Sequence, residues 1–181
     1  MTKALLAAAL LLAAFAAASA SAAPRRSATE TMAVACEYVT VPQLCTNLIA
    51  KSSCTTVREL TLAAIKEALH SAEEAKAAVS KAAGAPVADP KLKQGLDVCD
   101  EAFTNTVTSL QAAVNGMQAG KAYDQVTVNL SQAMIHVSAC NDIFSENPGL
   151  VSPVADSTSI LKKLVSNSLS LSVAVNVQLK Q

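Results

Sequence analysis

Five cysteines (Cys36, Cys45, Cys54, Cys99, Cys140) and two histidines (His70, His136) are the side chains of this sequence with the most intrinsic reactivity. A thiol beside an imidazole makes a nucleophile and its base, and closely paired Cys and His make a zinc site. Neither pattern is present. No local sequence brings Cys54 together with His70 or His136, and no third residue orients such a pair. His136 stands four residues before Cys140, on one helical face. The cysteines nevertheless lack the short paired spacing that zinc demands, so His136 reads as a histidine at the boundary of a core. No catalytic set, metal site or cofactor is expected, and the cysteines read as structural.

What must position them begins after a leader. Met1-Thr2-Lys3 carries one positive charge, residues 4–18 are apolar throughout, and Ser19-Ala20-Ser21-Ala22 offers small-x-small cleavage sites. The run of about 15 residues is shorter than the roughly 20 that span a bilayer. Residues 1–23 therefore read as a secretory signal peptide, cut between Ala20 and Ala23, with a mature domain over 24–181 and no membrane association after cleavage. An oxidising route favours disulfides, and an odd cysteine count leaves one thiol over.

Four amphipathic helices follow from the spacing of apolar residues. The first covers about 57–83, with Leu62, Ile65, Leu69, Ala72 and Val79 inward and nine Ala that permit close packing. Gly84-Ala85-Pro86 stops it. The second covers about 91–117, with Leu92, Leu96, Cys99, Phe103, Val107, Leu110, Val114 and Met117 at steps of three or four. The helical period overrides Gly95, which costs ~1 kcal/mol against Ala. The third runs over 123–145, with Val126, Leu130, Met134, Val137, Cys140 and Phe144 in register. The fourth runs over about 156–179, with Leu161, Leu164, Leu171 and Val175 inward and Asp156 or Ser157 as N-cap. All six Pro lie outside these spans, as helix interiors require. Residues 29–53 hold two shorter helices broken at Val41-Pro42. The fold class is all-α: an up-down-up-down four-helix bundle with an N-terminal helical hairpin and two disulfides.

Geometry selects the bridges. Cys99 and Cys140 lie about 20 residues either side of the turn at Ala119-Gly120, on the apolar stripes of antiparallel neighbours. Equal rise per residue brings the two thiols to one height, within the roughly 7 Å between Cα atoms that a disulfide allows. Cys36, Cys45 and Cys54 are spaced by nine and nine. Nine residues of unbroken helix span ~13.5 Å, too far to bridge. Pro42 breaks the first interval and nothing breaks the second, so Cys36 pairs with Cys45 and Cys54 is the free thiol.

Composition narrows the function. Acidic and basic residues balance at 14 each, so the basic stripe that nucleic acid requires is absent. Glu73-Glu74 and Lys162-Lys163 read as solvated helix faces. Asn129-Leu130-Ser131 is an N-glycosylation sequon, placed in mid-helix beside core Leu130. A small secreted bundle pinned by disulfides, without a catalytic set, reads as a binding module whose stiffness lowers the ordering cost of association.

The segments that carry this reading resemble the plant invertase and pectin methylesterase inhibitor family. Ala35-Cys36, then Val41-Pro42-Gln43-Leu44-Cys45-Thr46-Asn47-Leu48-Ile49, resembles its opening cysteine hairpin. Leu96-Asp97-Val98-Cys99-Asp100-Glu101-Ala102-Phe103 resembles its third-cysteine helix. Tyr123-Asp124-Gln125-Val126, Leu130-Ser131-Gln132-Ala133-Met134 and Cys140-Asn141-Asp142-Ile143-Phe144 resemble the approach to its fourth cysteine. Val165-Ser166-Asn167-Ser168-Leu169-Ser170-Leu171 resembles its last helix.

The resemblance implies a hairpin on a four-helix bundle with first–second and third–fourth cysteines bridged. It also implies non-covalent inhibition of a secreted carbohydrate enzyme, acid invertase or pectin methylesterase, in the plant apoplast, cell wall or vacuole. Invertase inhibitors of the family carry Pro-Lys-Phe before the third bundle helix. Lys121-Ala122-Tyr123 stands there, without the Pro and in another order. Pectin methylesterase inhibitors often carry Trp in the following helix, and this sequence has none. Gly149-Leu150-Val151-Ser152-Pro153-Val154 inclines the likeness toward the invertase-inhibitor branch. Lys121 and Tyr123 are then the expected partner-binding residues, the first meeting a catalytic carboxylate and the second filling a sugar subsite. The alternatives are a secreted carrier of a small apolar ligand and an allergen-like bundle without inhibitory activity.

Overall fold

Ser27 opens the first helix with a reciprocal cap. Its hydroxyl accepts from the Glu30 backbone N–H at 3.1 Å, and the Glu30 carboxylate accepts from the Ser27 N–H at 2.7 Å. In the computed structural model, which describes residues 27–87, 89–147 and 149–179, six helices follow in order. They are α1 (Ala28–Glu37), α2 (Pro42–Lys51), α3 (Val57–Gly84), α4 (Pro90–Gln118), α5 (Tyr123–Ser145) and α6 (Ala155–Leu179). No strand occurs among the described residues. The leader assigned to residues 1–23 lies outside them.

Local chemistry explains each boundary. Pro42 and Pro90 occupy first-turn positions, where the missing N–H costs nothing and the fixed φ suits the helix. Asp89 caps α4 by accepting from the Lys91 N–H at 2.8 Å. Gly120 turns the chain between α4 and α5 at φ +68°, and Gly149 helps turn it before α6 at φ +94°. Both angles lie in the left-handed region that disfavours a side chain. The last helix starts one residue earlier than expected. Asp156 sits inside its first turn and not at the cap, where its charge still meets the positive end of the helix dipole.

The four long helices form a ring in which α3 packs on α4 and α6, and α5 packs on α4 and α6. This is the up-down-up-down bundle. Phe103, Leu110 and Met117 from α4 meet Val126, Leu130 and Val137 from α5 and Leu161, Val165 and Leu171 from α6, all buried. On α3 the inward seam is Leu60, Ala64, Ile65, Ala68, Ala72, Ala75 and Val79. Leu62 and Leu69, expected to face inward, are half-buried on its flank. Alanines let neighbouring backbones approach closely, so small side chains fill much of the centre beside Leu60 and Ile65, and Leu62 and Leu69 seal the edge. Gly95 also has a reason. A Cβ there would stand 2.9 Å from the ring of Phe144, so the ring occupies the space that the missing methyl leaves.

Four buried hydroxyls pass through this core without being orphaned. Thr61, Thr106, Thr158 and Ser168 each donate to the carbonyl four residues earlier, at 2.7–2.9 Å, which satisfies them within their own helix. The hairpin α1–α2 rests on α3 and α6. Asn167, 4% exposed, holds it there. Its amide oxygen accepts from the Val41 N–H, and its amide nitrogen donates to the Val41 carbonyl, both at 2.8 Å. One side chain thus satisfies both backbone groups of the hairpin's turn.

Two disulfides tie these pieces. Cys36 joins Cys45 with Cα atoms 5.5 Å apart, and Cys99 joins Cys140 with Cα atoms 4.5 Å apart. Cys54, between α2 and α3, is half-buried and unbridged. On the chain-entropy account the bridge across 41 residues contributes ~4 kcal/mol and the one across nine contributes nearer 3.

The start of α3 carries a titratable cap. The Glu59 carboxylate accepts from the Thr55 backbone N–H at 2.7 Å and from the Thr55 hydroxyl at 2.9 Å. These bonds, the backbone one foremost, hold its pKa below the usual carboxylate value. A depressed folded pKa stabilises the fold above the unfolded value of about 4.3, and that contribution is lost as pH falls through the folded value. Glu59→Gln is therefore expected to lower the urea midpoint relative to the parent at about pH 6 and to match it at about pH 2. A gap that persists unchanged at the lower pH contradicts the assignment.

Candidate docking surface

The α4–α5 turn projects at one end of the bundle, beside the start of α3. Arg58, in the first turn of α3, clasps it. Its guanidinium donates to the Met117 carbonyl and, at 3.1 Å, to the Tyr123 hydroxyl, and it lies 5.6 Å from the centre of the Tyr123 ring. The Lys121 N–H closes the turn by donating to the Gly116 carbonyl at 2.9 Å. Sequence reasoning passed over Arg58, although a cation in the first turn of a helix opposes the helix dipole. That cost is itself a signal that the guanidinium serves a partner elsewhere.

The two residues expected to touch a partner occupy different environments. Lys121 is exposed at the tip. Tyr123 is 6% exposed, its ring in the core and its hydroxyl held by Arg58. In this arrangement the ring offers no free face, and the residue fixes the geometry of the tip from which Lys121 extends.

A broader feature surrounds that tip. Between Glu101 and Lys121, and again between Asp124 and Asp142, the sequence holds no Asp, Glu, Lys or Arg. Thr108, Gln111, Asn115 and Gln118 are all exposed and step along α4 by three and four. Gln125, Val128, Gln132 and Ile135 do the same along α5. Val128 is 49% and Ile135 67% exposed. The α3 surface differs sharply, with Lys66, Glu67, Glu73, Glu74 and Lys81 exposed. Charges are depleted at the centres of protein interfaces, because each must be desolvated when the surfaces close. The α4–α5 edge thus has the composition of a contact surface, unlike the charged α3 face.

The other singled-out residues scatter. His70 is exposed and pairs with Glu74 at 3.4 Å along α3. His136 is half-buried on α5. Among the described residues no group of three His, Cys, Asp or Glu side chains could hold a metal ion. Asn129 is half-buried in mid-α5, Leu130 beside it is fully buried, and the Ser131 hydroxyl donates to the Thr127 carbonyl at 2.9 Å. The folded sequon is therefore locked in helical form, on the flank of the charge-free edge.

Arg58→Ala is expected to lower stability by about 1–2 kcal/mol and to speed hydrogen exchange at Lys121 and Tyr123, with α6 unaffected. Uniform acceleration through the bundle would contradict a local clasp.

Two solved structures share the fold. A mutant form of a pectin methylesterase inhibitor from Arabidopsis aligns with a TM-score of 0.70 at 18% identity, over 78% of this chain and 95% of its own. A pectin methylesterase inhibitor from Arabidopsis thaliana aligns with a TM-score of 0.61 at 18% identity, over 80% of this chain and 95% of its own. No curated protein matches the sequence. The family model for plant invertase/pectin methylesterase inhibitors matches residues 30–171. That span runs from the first turn of α1 into α6 and includes all four bridged cysteines, and the chain belongs to this family.

Proposed function

We propose that this chain is a protein inhibitor that docks over the active-site cleft of a plant carbohydrate enzyme, acid invertase or pectin methylesterase, and blocks it without covalent chemistry. The observation that carries the reading is the pair of uncharged, exposed stripes on α4 and α5 flanking the Lys121 tip. Val128 and Ile135 supply apolar area, and the amides of Gln111, Asn115, Gln125 and Gln132 supply adaptable hydrogen bonds. Lys121 brings a single ammonium group to the end of this surface, suited to a carboxylate in the target's cleft. Disulfides and an alanine-tight core hold the stripes in place before contact, so little ordering is needed on binding.

The mature domain is proposed to reach its target in the apoplast or vacuole after removal of residues 1–23. Among the described residues no helix is long and apolar enough to cross a membrane. No cofactor takes part in the proposed blockade, since occlusion alone accounts for it.

Titrating the recombinant mature protein against an acid invertase and a pectin methylesterase side by side tests the reading and names the target. Inhibition of at least one is expected. Lys121→Ala is expected to weaken it about tenfold, and Ile135→Asp at least as much, with thermal stability nearly unchanged because both side chains are exposed. Lys81→Ala, on the charged α3 face, is expected to leave inhibition intact. Inhibition of neither enzyme, or indifference to both α4–α5 substitutions, contradicts the proposal.

A further inference from the structure

Asn129-Leu130-Ser131 is the only N-glycosylation sequon in the sequence, and docking alone gives it no role. Asn129 precedes Cys140, which is bonded to Cys99 of α4, by eleven residues. That interval is about three helical turns, so Asn129 leaves α5 on the side that meets α4. Gln125 and Gln132, four before and three after it, are its neighbours on the helix surface. Asn129 therefore stands in the seam between the exposed stripes of α4 and α5. Among the described residues its half-buried side chain has no hydrogen-bond partner, whereas Asn147 and Asn167 both donate to carbonyls. Its amide is also open to solvent, because the one sealed side-chain polar atom without a partner among the described residues is the Ser52 hydroxyl.

The folded helix separates the two halves of the sequon. Residues two apart do not face each other on a helix. Ser131 lies four residues beyond Thr127, whose hydroxyl meets that of Ser172 on α6 at 3.1 Å, and its own hydroxyl is engaged with the Thr127 carbonyl. Folded α5 thus cannot present Asn129 and Ser131 together to a transferase. The unfolded chain can, and synthesis gives it time. Most helical stability in proteins comes from packing, and α5 packs on α6, whose end at Leu179 lies fifty residues beyond Asn129. At about 5–20 residues per second that interval is several seconds.

We propose that Asn129 is N-glycosylated on the secretory route before α5 folds, and that the glycan emerges from the α4–α5 seam and covers the docking edge. The bare chain is then the inhibitor and the glycosylated chain its masked form. In the transfer the Asn129 Nδ2 bonds to C1 of the first sugar of an oligosaccharide carried on a lipid diphosphate. The C1–O bond to the diphosphate breaks, the diphosphate leaves with its electron pair, and one amide proton passes to a base of the transferase. A glycan is bulky and hydrated, so it obstructs stripes that must pack closely on a partner. The masking rests on the docking reading proposed above, whereas the modification rests on secretion alone.

The test expresses the full chain in a secreting plant cell line and the mature chain in bacteria that attach no such glycan. Intact mass is expected to show a secreted fraction heavier by one glycan and absent from Ser131→Ala, and release by an N-glycosidase in heavy-oxygen water is expected to leave the label at position 129. The glycosylated fraction is expected to inhibit about tenfold or more weakly than the bare chain, and hydroxyl-radical labelling of its Val128 and Ile135 is expected to fall. Bacterial parent and Ser131→Ala chains are expected to inhibit equally, which assigns the loss to the glycan and not to the hydroxyl. Secretion without the glycan overturns the proposal, as does a glycosylated chain that inhibits, or is labelled, like the bare one. A bare chain that inhibits neither enzyme sinks the docking reading by itself, and occupancy and labelling then decide this one.

Discussion

The covalent seam between α4 and α5 is the constraint on which the rest of this structure depends. Cys99 and Cys140 lie on facing stripes, fully buried, and their bond fixes the register of two helices whose outer faces form the uncharged edge. A slip of one helical turn, about 5.4 Å, would displace the exposed stripe of α5 along that of α4. About 20 residues along each helix from that bond, Arg58 fastens the tip of the α4–α5 turn to the start of α3. The core is built mostly from aliphatic side chains, with Phe103, Tyr123 and Phe144 its aromatics. It benefits from a cross-link of ~4 kcal/mol more than an aromatic-rich core would.

The segregation of charge gives the molecule two unlike sides. The α3 surface carries ions of both signs, keeping that face solvated. The second half of α4 and nearly all of α5 carry none. Amides and hydroxyls there hold water weakly enough to surrender it at an interface, yet keep the edge from being an open apolar patch. This division lets a net charge of zero coexist with a directional surface. The proposed blockade draws on shape, stiffness and the Lys121 ammonium, with no reactive group.

Much of the architecture is legible in the sequence alone. Apolar steps of three and four marked all four bundle helices, with ends at Gly84-Ala85-Pro86 and at Asp89-Pro90, because these residues act through local backbone chemistry alone. Equal helix rise brought Cys99 opposite Cys140 for the same reason. What escaped was the finer rotation of α3, where Ala64, Ala68 and Ala75 pack inward with Leu60 while Leu62 and Leu69 flank, since a simple apolar pattern ranks the larger residue as the deeper one. The roles of Gly95, Asn167 and Arg58 also escaped. Each answers to a group far away in sequence: the Phe144 ring, the Val41 peptide and the Tyr123 hydroxyl. The surface showed the same limit. Lys121 was visible as a tip residue, but Tyr123 packs inward because Arg58 lies within reach, and no local spacing announces that contact.

The central claim concerns which sulfurs are joined. Peptide mapping of the mature protein by mass spectrometry, after alkylation and digestion without reduction, reads it directly. The account predicts a peptide containing Cys99 linked to one containing Cys140, a second link between Cys36 and Cys45, and Cys54 recovered alkylated. Recovery of Cys54 in a quantitative bridge, or of Cys99 and Cys140 in separate peptides, would contradict it.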